Sequence, residues 1–335
     1  MKIKRLLFVL SILLISGVCY YVMNQSYDQL ARYPYVNSEN HDIILEHLNT
    51  EDINYLCAQQ IKPEVFLPYI NQPGFTIRNA MYYDIAKKTR DDEDVKIVAF
   101  MNTYKEQMPL NDVKALLTSY TYEELGKFYT HGDTYLKNAT LIPNPYELNT
   151  KPSDSKTMYS FTPNNLVSIV DIPHASASEG IDSVQVRSDV IAPLQELCDG
   201  ANSINGKTCG DMIVVNGYIS YIEQIKLYEK ALLQYGVDSF KEYQDYPGRS
   251  EFQSGLMVRF DVAGEQVIDE AGETPQSLWL AQNAYKYGFI VRFPKDGVMK
   301  SGKLYQPYTL RYVGKKQAKK AFDNHLYFED LEWKK

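Results

Sequence analysis

The chain has little histidine: five residues in 335, none at HExxH or HxH spacing. No alternative histidine metal motif is therefore offered by spacing anywhere along it. Its four cysteines lack the paired spacing of a zinc site, which excludes a cysteine metal centre. It also lacks an excess of positive charge. The formal net charge is -7, so no nucleic-acid partner is indicated. Hydrophobic content of 44% and charged content of 23% are those of an ordinary globular protein. Tyrosine is abundant, at 28 residues, a side chain that packs its ring and turns a polar tip outward.

Lys2, Lys4 and Arg5 precede an apolar run from Leu6 to Met23, close to the length that crosses a bilayer. Gly17-Val18-Cys19-Tyr20-Tyr21 is bulky where a signal peptidase requires small residues. Residues 1–24 therefore read as an uncleaved signal anchor, a single-pass transmembrane helix with the basic end inside and the body outside the cell membrane. A cleaved signal peptide is the alternative. Cys19 does not suit a lipoprotein site, because Val18 stands where a small residue belongs. Cys57 is isolated, whereas Cys198 and Cys209 flank a short polar loop. In an oxidising exterior these two form either a disulfide or a pair of free thiols.

Residues 37–142 read as a small helical module. Asn49 and Thr50 cap one helix, Pro63 suits a first turn, and Thr121 with Glu124 makes a capping box; Val95 to Asn102 reads as a strand. A polar, proline-bearing linker covers 143–164. From 165 to 335 helices and strands alternate in an α+β arrangement, an antiparallel sheet with flanking helices. Ser220 with Glu223 and Thr274-Pro275 open helices, while Gly236 and Gly288 close them.

Two stretches carry a resemblance. Tyr246-Pro-Gly-Arg-Ser-Glu-Phe-Gln-Ser-Gly-Leu-Met-Val-Arg-Phe-Asp-Val262 and Trp279 to Pro294, with Tyr305-Gln-Pro-Tyr-Thr-Leu-Arg-Tyr-Val-Gly314, closely resemble the VanY-type D-alanyl-D-alanine carboxypeptidases, LAS-type zinc peptidases of the bacterial cell wall. The resemblance runs from about Tyr146 to Leu331. It implies the fold of that family and, in its ordinary members, a zinc ion held by two His and an Asp, with a Glu as general base. At those positions this chain has Phe252, Thr309, Arg259 and Gln306. Ile219 stands where the family has an arginine that grips the peptide carboxylate, whereas Ser250 and Gln224 match the family pattern.

In the strand from Gly255 to Val262, Arg259 and Asp261 share the face that by the resemblance presents the metal-binding carboxylate. Asp261 does not replace the lost ligand, because two residues along a strand displace a carboxylate by about 6–7 Å. The expectation is a membrane-anchored, extracytoplasmic pseudoenzyme without catalytic residues or zinc. It would bind a peptidoglycan peptide or a cell-wall protein through Arg259, Ser250, Gln224, Gln306 and Thr309. The alternatives are an active carboxypeptidase with a non-standard site and a protein-interaction scaffold working through the helical module.

Overall fold

A computed structural model describes residues 2–25, 28–131, 136, 138–175, 184–262 and 274–333. Residues 132–135 and 137 of the expected helical module, and the side chains of Leu6, Met23 and His131, lie outside the described residues. A helix runs Lys2–Gln25, with side chains described over residues 9–22. Among the described residues no helix is long and apolar enough to cross a membrane, so the span expected over Leu6 to Met23 is not recovered.

The chain divides into two compact units, Met1–Leu117 and Thr118–Lys335, and residues 118–142 fall in the second. The first is helical. Asn49 accepts a hydrogen bond from the Asp52 amide and starts the helix Thr50–Gln59, and Pro63 opens the turn Pro63–Phe66. The segment expected as a strand, Val95 to Asn102, lies instead in the helix Asp94–Tyr104. Its β-branched residues suggested the strand, but burial decides otherwise. Ile97 and Met101, one helical turn apart, are buried with Val98, while Val95 is exposed, and a strand alternating from Val95 would bury it. Leu30, Ile44, Leu56, Phe66 and Ile77 make the core of this unit.

In the second unit, Thr121 and Glu124 form the anticipated capping box: the Glu124 amide donates to the Thr121 hydroxyl and the Thr121 amide to the Glu124 carboxylate. Among the described residues eight short strands follow: β1 (Thr140–Leu141), β2 (Lys156–Thr157), β3 (Leu166–Ser168), β4 (Gln185–Arg187), β5 (Met212–Asn216), β6 (Met257–Val262), β7 (Phe289–Phe293) and β8 (Gln306–Tyr312). The central sheet has four antiparallel strands in the order β5-β6-β8-β7. β3 pairs antiparallel with β4, and β1 parallel with β2. The α+β class and the antiparallel sheet with flanking helices are as expected.

Period-two patterning gives the sheet two different faces. Val214, Val258, Phe260 and Leu310 point into the main core, where they meet Val190, Leu194 and Leu197 of the helix Ser188–Ala201 and Leu280 of the helix Pro275–Asn283. The opposite face carries Arg259, Thr309 and Arg311. The helix Tyr221–Tyr243 is capped by the Ser220 hydroxyl, which accepts from the Glu223 amide. It is broken rather than ended at Gly236, whose φ of 77° is not helical.

Cys198 and Cys209 form a disulfide, and both half-cystines are buried. The bridge joins the end of the helix Ser188–Ala201 to the short 3₁₀ turn Thr208–Asp211 that precedes β5, across an eleven-residue separation. A loop of that length predicts a stabilisation of about 3 kcal/mol by restriction of the unfolded chain. Denaturant unfolding of the protein with and without reductant should show a loss of that order. Equal midpoints would mean that the bridge contributes nothing.

Candidate functional site

The site is built where the helix Tyr221–Tyr243, the turn Tyr246–Gly255 and the middle of the sheet come together. Gln224, on the first turns of that helix, is fully buried and ties them. Its side-chain oxygen accepts from the amides of Gly248 (2.9 Å) and Ser250 (3.4 Å), and its nitrogen donates to the Ile219 carbonyl and to Gln253 Oε1 (2.9 Å). Gln253 in turn donates to the carbonyls of Tyr159 and Phe161. Gly248 must be glycine here: its φ is +77°, and a Cβ would come within 2.6 Å of the Thr157 hydroxyl. The turn thus delivers the short 3₁₀ segment Glu251–Ser254, with Phe252 half-buried, directly into β6.

On the sheet, the polar face forms a cross-strand row. Arg259 of β6 lies opposite Asn216 of β5 and opposite Thr309 of β8. Directly opposite residues of an antiparallel pair project to the same side. Thr309 is fully buried, and its hydroxyl donates to Gln306 Oε1 at 3.1 Å. Arg259 is half-buried and Asp261 shares its face. The structure therefore brings Arg259, Thr309 and Gln306 into one row. Ser250 and Gln224 serve the adjoining turn, where the Gln224 amide is engaged at both ends by the protein itself.

Beside this row, on the same face of the sheet, Arg311 enters a buried ionic cluster. Glu251 receives both the Arg292 fork (2.7–3.0 Å) and Arg311 Nη1 (2.6 Å). Arg292 also bonds Glu329, which is held by Lys151 at 2.7 Å, and Arg311 donates to the carbonyls of Leu148 and Thr150. Both guanidinium groups lie over the Phe328 ring, at 4.7 and 4.4 Å from its centre. Burial would raise the Glu251 pKa, but the charges of Arg292 and Arg311 prevail and hold it at about 2. Glu329 is likewise held below the ordinary carboxylate range, its burial outweighed by Arg292 and Lys151.

The pairing of Glu251 with Arg292 and Arg311 was not anticipated from sequence. All three belong to the resembling stretches, but Glu329 and Lys151 lie at opposite ends of the domain, and no spacing connects them.

The family model for VanY, D-alanyl-D-alanine carboxypeptidase, matches residues 183–315. YodJ of Bacillus subtilis (strain 168), a carboxypeptidase by name, is 35% identical over 173 residues, which cover 51% of this chain and 61% of that protein. The D-alanyl-D-alanine carboxypeptidase of Enterococcus faecium is 34% identical over 102 residues, 30% of either chain. Among solved structures, the LdcB LD-carboxypeptidase, described with the molecular basis of its peptidoglycan recognition, is similar with a TM-score of 0.51 and 32% identity. That match covers 57% of this chain and 88% of LdcB. The chain carries a carboxypeptidase-fold domain and belongs to the VanY D-alanyl-D-alanine carboxypeptidase family. It spans about three fifths of the length of the Bacillus relative.

The family is zinc-dependent, and the residues present here do not fit that ion. Phe252 has no donor atom, Arg259 is a fixed cation, and the Thr309 hydroxyl is already committed to Gln306. Among the described residues no group of three or more His, Cys, Asp or Glu could hold a metal.

Proposed function

We propose that this protein is a member of the carboxypeptidase family that binds a peptidoglycan peptide or a cell-wall partner without hydrolysing it. The observation that carries the reading is the row Arg259–Thr309–Gln306. Its neighbouring turn and ionic cluster are built in full, while its own side chains cannot hold zinc or act as a general base. General-base catalysis alone typically contributes roughly 10²–10⁴-fold, and the Lewis acid would be lost with it. A guanidinium on this face favours a carboxylate of the bound peptide through paired charge-assisted hydrogen bonds. Thr309, Gln306 and Ser250 would supply neutral hydrogen-bonding groups around it.

The test is a calorimetric titration of the protein with a pentapeptide ending in D-alanyl-D-alanine. Saturable binding without product, weakened about 10–100-fold by Arg259→Gln, is expected from the loss of one charged contact. No binding by the natural protein, or equal binding by the variant, would remove Arg259 from the reading.

We further propose that the body is extracytoplasmic and held at the membrane through the segment Leu6 to Met23. Lys2, Lys4 and Arg5 before that run, the exposed apolar side chains Leu13, Leu14 and Ile15 on its helix, and a disulfide in the body support this. Resistance to alkaline extraction from membranes is the expected result. Release into the soluble fraction would refute it.

A further inference from the structure

Beyond the central row, the turn before Ser250 holds a second arginine with fewer partners than its burial demands. The Arg249 side chain is 10% exposed, and its Nε is buried with no hydrogen-bond partner among the described residues. Such a group costs stability unless something satisfies it. The guanidinium lies over the Tyr246 ring at 5.3 Å, and Lys241 Nζ lies 5.1 Å from the centre of the same ring. Tyr246 is itself fixed by edge packing on Phe240 at 5.1 Å and by contact with Tyr228. Two cations therefore grip one anchored ring.

Among the described residues a single carboxylate reaches them. Asp154 Oδ1 is 3.3 Å from Arg249 Nη1 and 4.0 Å from Lys241 Nζ. Asp154 sits at the tip of a tight turn closed by hydrogen bonds between Ser153 and Lys156, and its side chain is 84% exposed. An acid that exposed is solvated by water and contributes little by its pairing. It touches the cations at the long end of contact and leaves Arg249 Nε unserved. The nearby Lys303 is taken by Asp245 and by the Lys241 carbonyl, so it does not compete for the same anion.

We propose that Arg249, Tyr246 and Lys241 form a carboxylate-binding clamp, separate from the central row, in which Asp154 is a displaceable internal occupant. The ligand class is a carboxylate-bearing peptide. The carboxylate of Asp154 already marks where that group sits, and the planar fork of Arg249 suits two parallel hydrogen bonds to it. The clamp lies within the same turn as Ser250 and Phe252, so it would hold an acidic group of a peptide lying along the site.

The test uses the full chain, with succinate as the carboxylate probe, succinamide as the neutral control and inorganic phosphate as the competing anion, followed by calorimetry or by shifts of backbone resonances. Succinate is expected to bind saturably and succinamide not at all. Asp154→Asn, a change at an exposed tip, should tighten succinate about ten-fold, equivalent to about 1.4 kcal/mol, by removing the internal competitor. Binding at the clamp is read from the backbone resonances of residues 246–250, and binding at the central row from those of β6 and β8. Lys241→Gln should weaken the clamp several-fold, and Arg249→Gln should abolish the shifts at 246–250 while leaving those of β6 and β8, so either reading can fail while the other stands. Unchanged or weaker binding in Asp154→Asn, or equal binding of succinamide, would overturn the clamp. Phosphate binding more tightly than succinate in an Arg249-dependent manner would overturn its assignment to carboxylates.

Discussion

Glu251→Gln is expected to destabilise the second unit by about 3–5 kcal/mol, the cost of leaving buried charges unpaired. Two buried arginines converge on that one carboxylate, and both remain when it is neutralised. The cluster also ties Lys151, near the start of the domain, to Glu329, near its end, so the loss spreads beyond the turn. The same cluster sets the response to acid. The Glu251 pKa is about 2 in the folded chain against an ordinary value of 4.5. Its contribution is therefore complete above about pH 4.5 and is lost as the pH falls toward 2, a difference on the order of 3 kcal/mol. Glu329, also held below its ordinary range, acts in the same direction. Denaturant unfolding at pH 7 and across the acid range would show the natural protein weakening steeply below pH 4.5 and the variant weakening less. A variant as stable as the natural protein at pH 7, with the same acid limb, would refute the role given to the cluster.

The second large effect is a gain. Phe252→His, Arg259→Asp, Gln306→Glu and Thr309→His together should give a chain that binds zinc stoichiometrically. Arg259 and Thr309 are directly opposite on adjacent strands, and Phe252 enters from a turn fixed by Gln224 and Gly248. None of these supports is altered by the four changes. Stoichiometric zinc in the purified variant, measured by elemental analysis, is the expected result. A folded variant without zinc would mean that the turn and the strands no longer stand in the family's geometry.

Much of the second unit was legible in the sequence because its determinants are local or motif-borne. Thr121 with Glu124 makes a full capping box, the Ser220 hydroxyl accepts from the Glu223 amide, and Thr274 before Pro275 starts its helix, all at positions visible in the chain itself. Gly288 closes its helix with φ of +89°. The strand carrying Arg259 was legible from alternation. The helix Asp94–Tyr104 was not, since its β-branched residues imitate a strand and only burial against the rest of its unit reveals the period. The candidate row was found through the resemblance, which fixes positions 252, 259, 306 and 309. What the sequence could not disclose was pairing at a distance. Glu251 with Arg292 and Arg311, Glu329 with Lys151, and Asp154 with Arg249 join residues separated by dozens of positions or more, and charge alone does not choose among so many partners.

The measurement that bears most directly on the central claim is zinc content and D-alanine release by the natural protein, assayed on a pentapeptide ending in D-alanyl-D-alanine with and without chelator. Phe252, Arg259 and Thr309 predict substoichiometric zinc and no chelator-sensitive release, alongside saturable peptide binding. One zinc per chain with release abolished by chelator would contradict the account and show that other side chains assemble a working metal site.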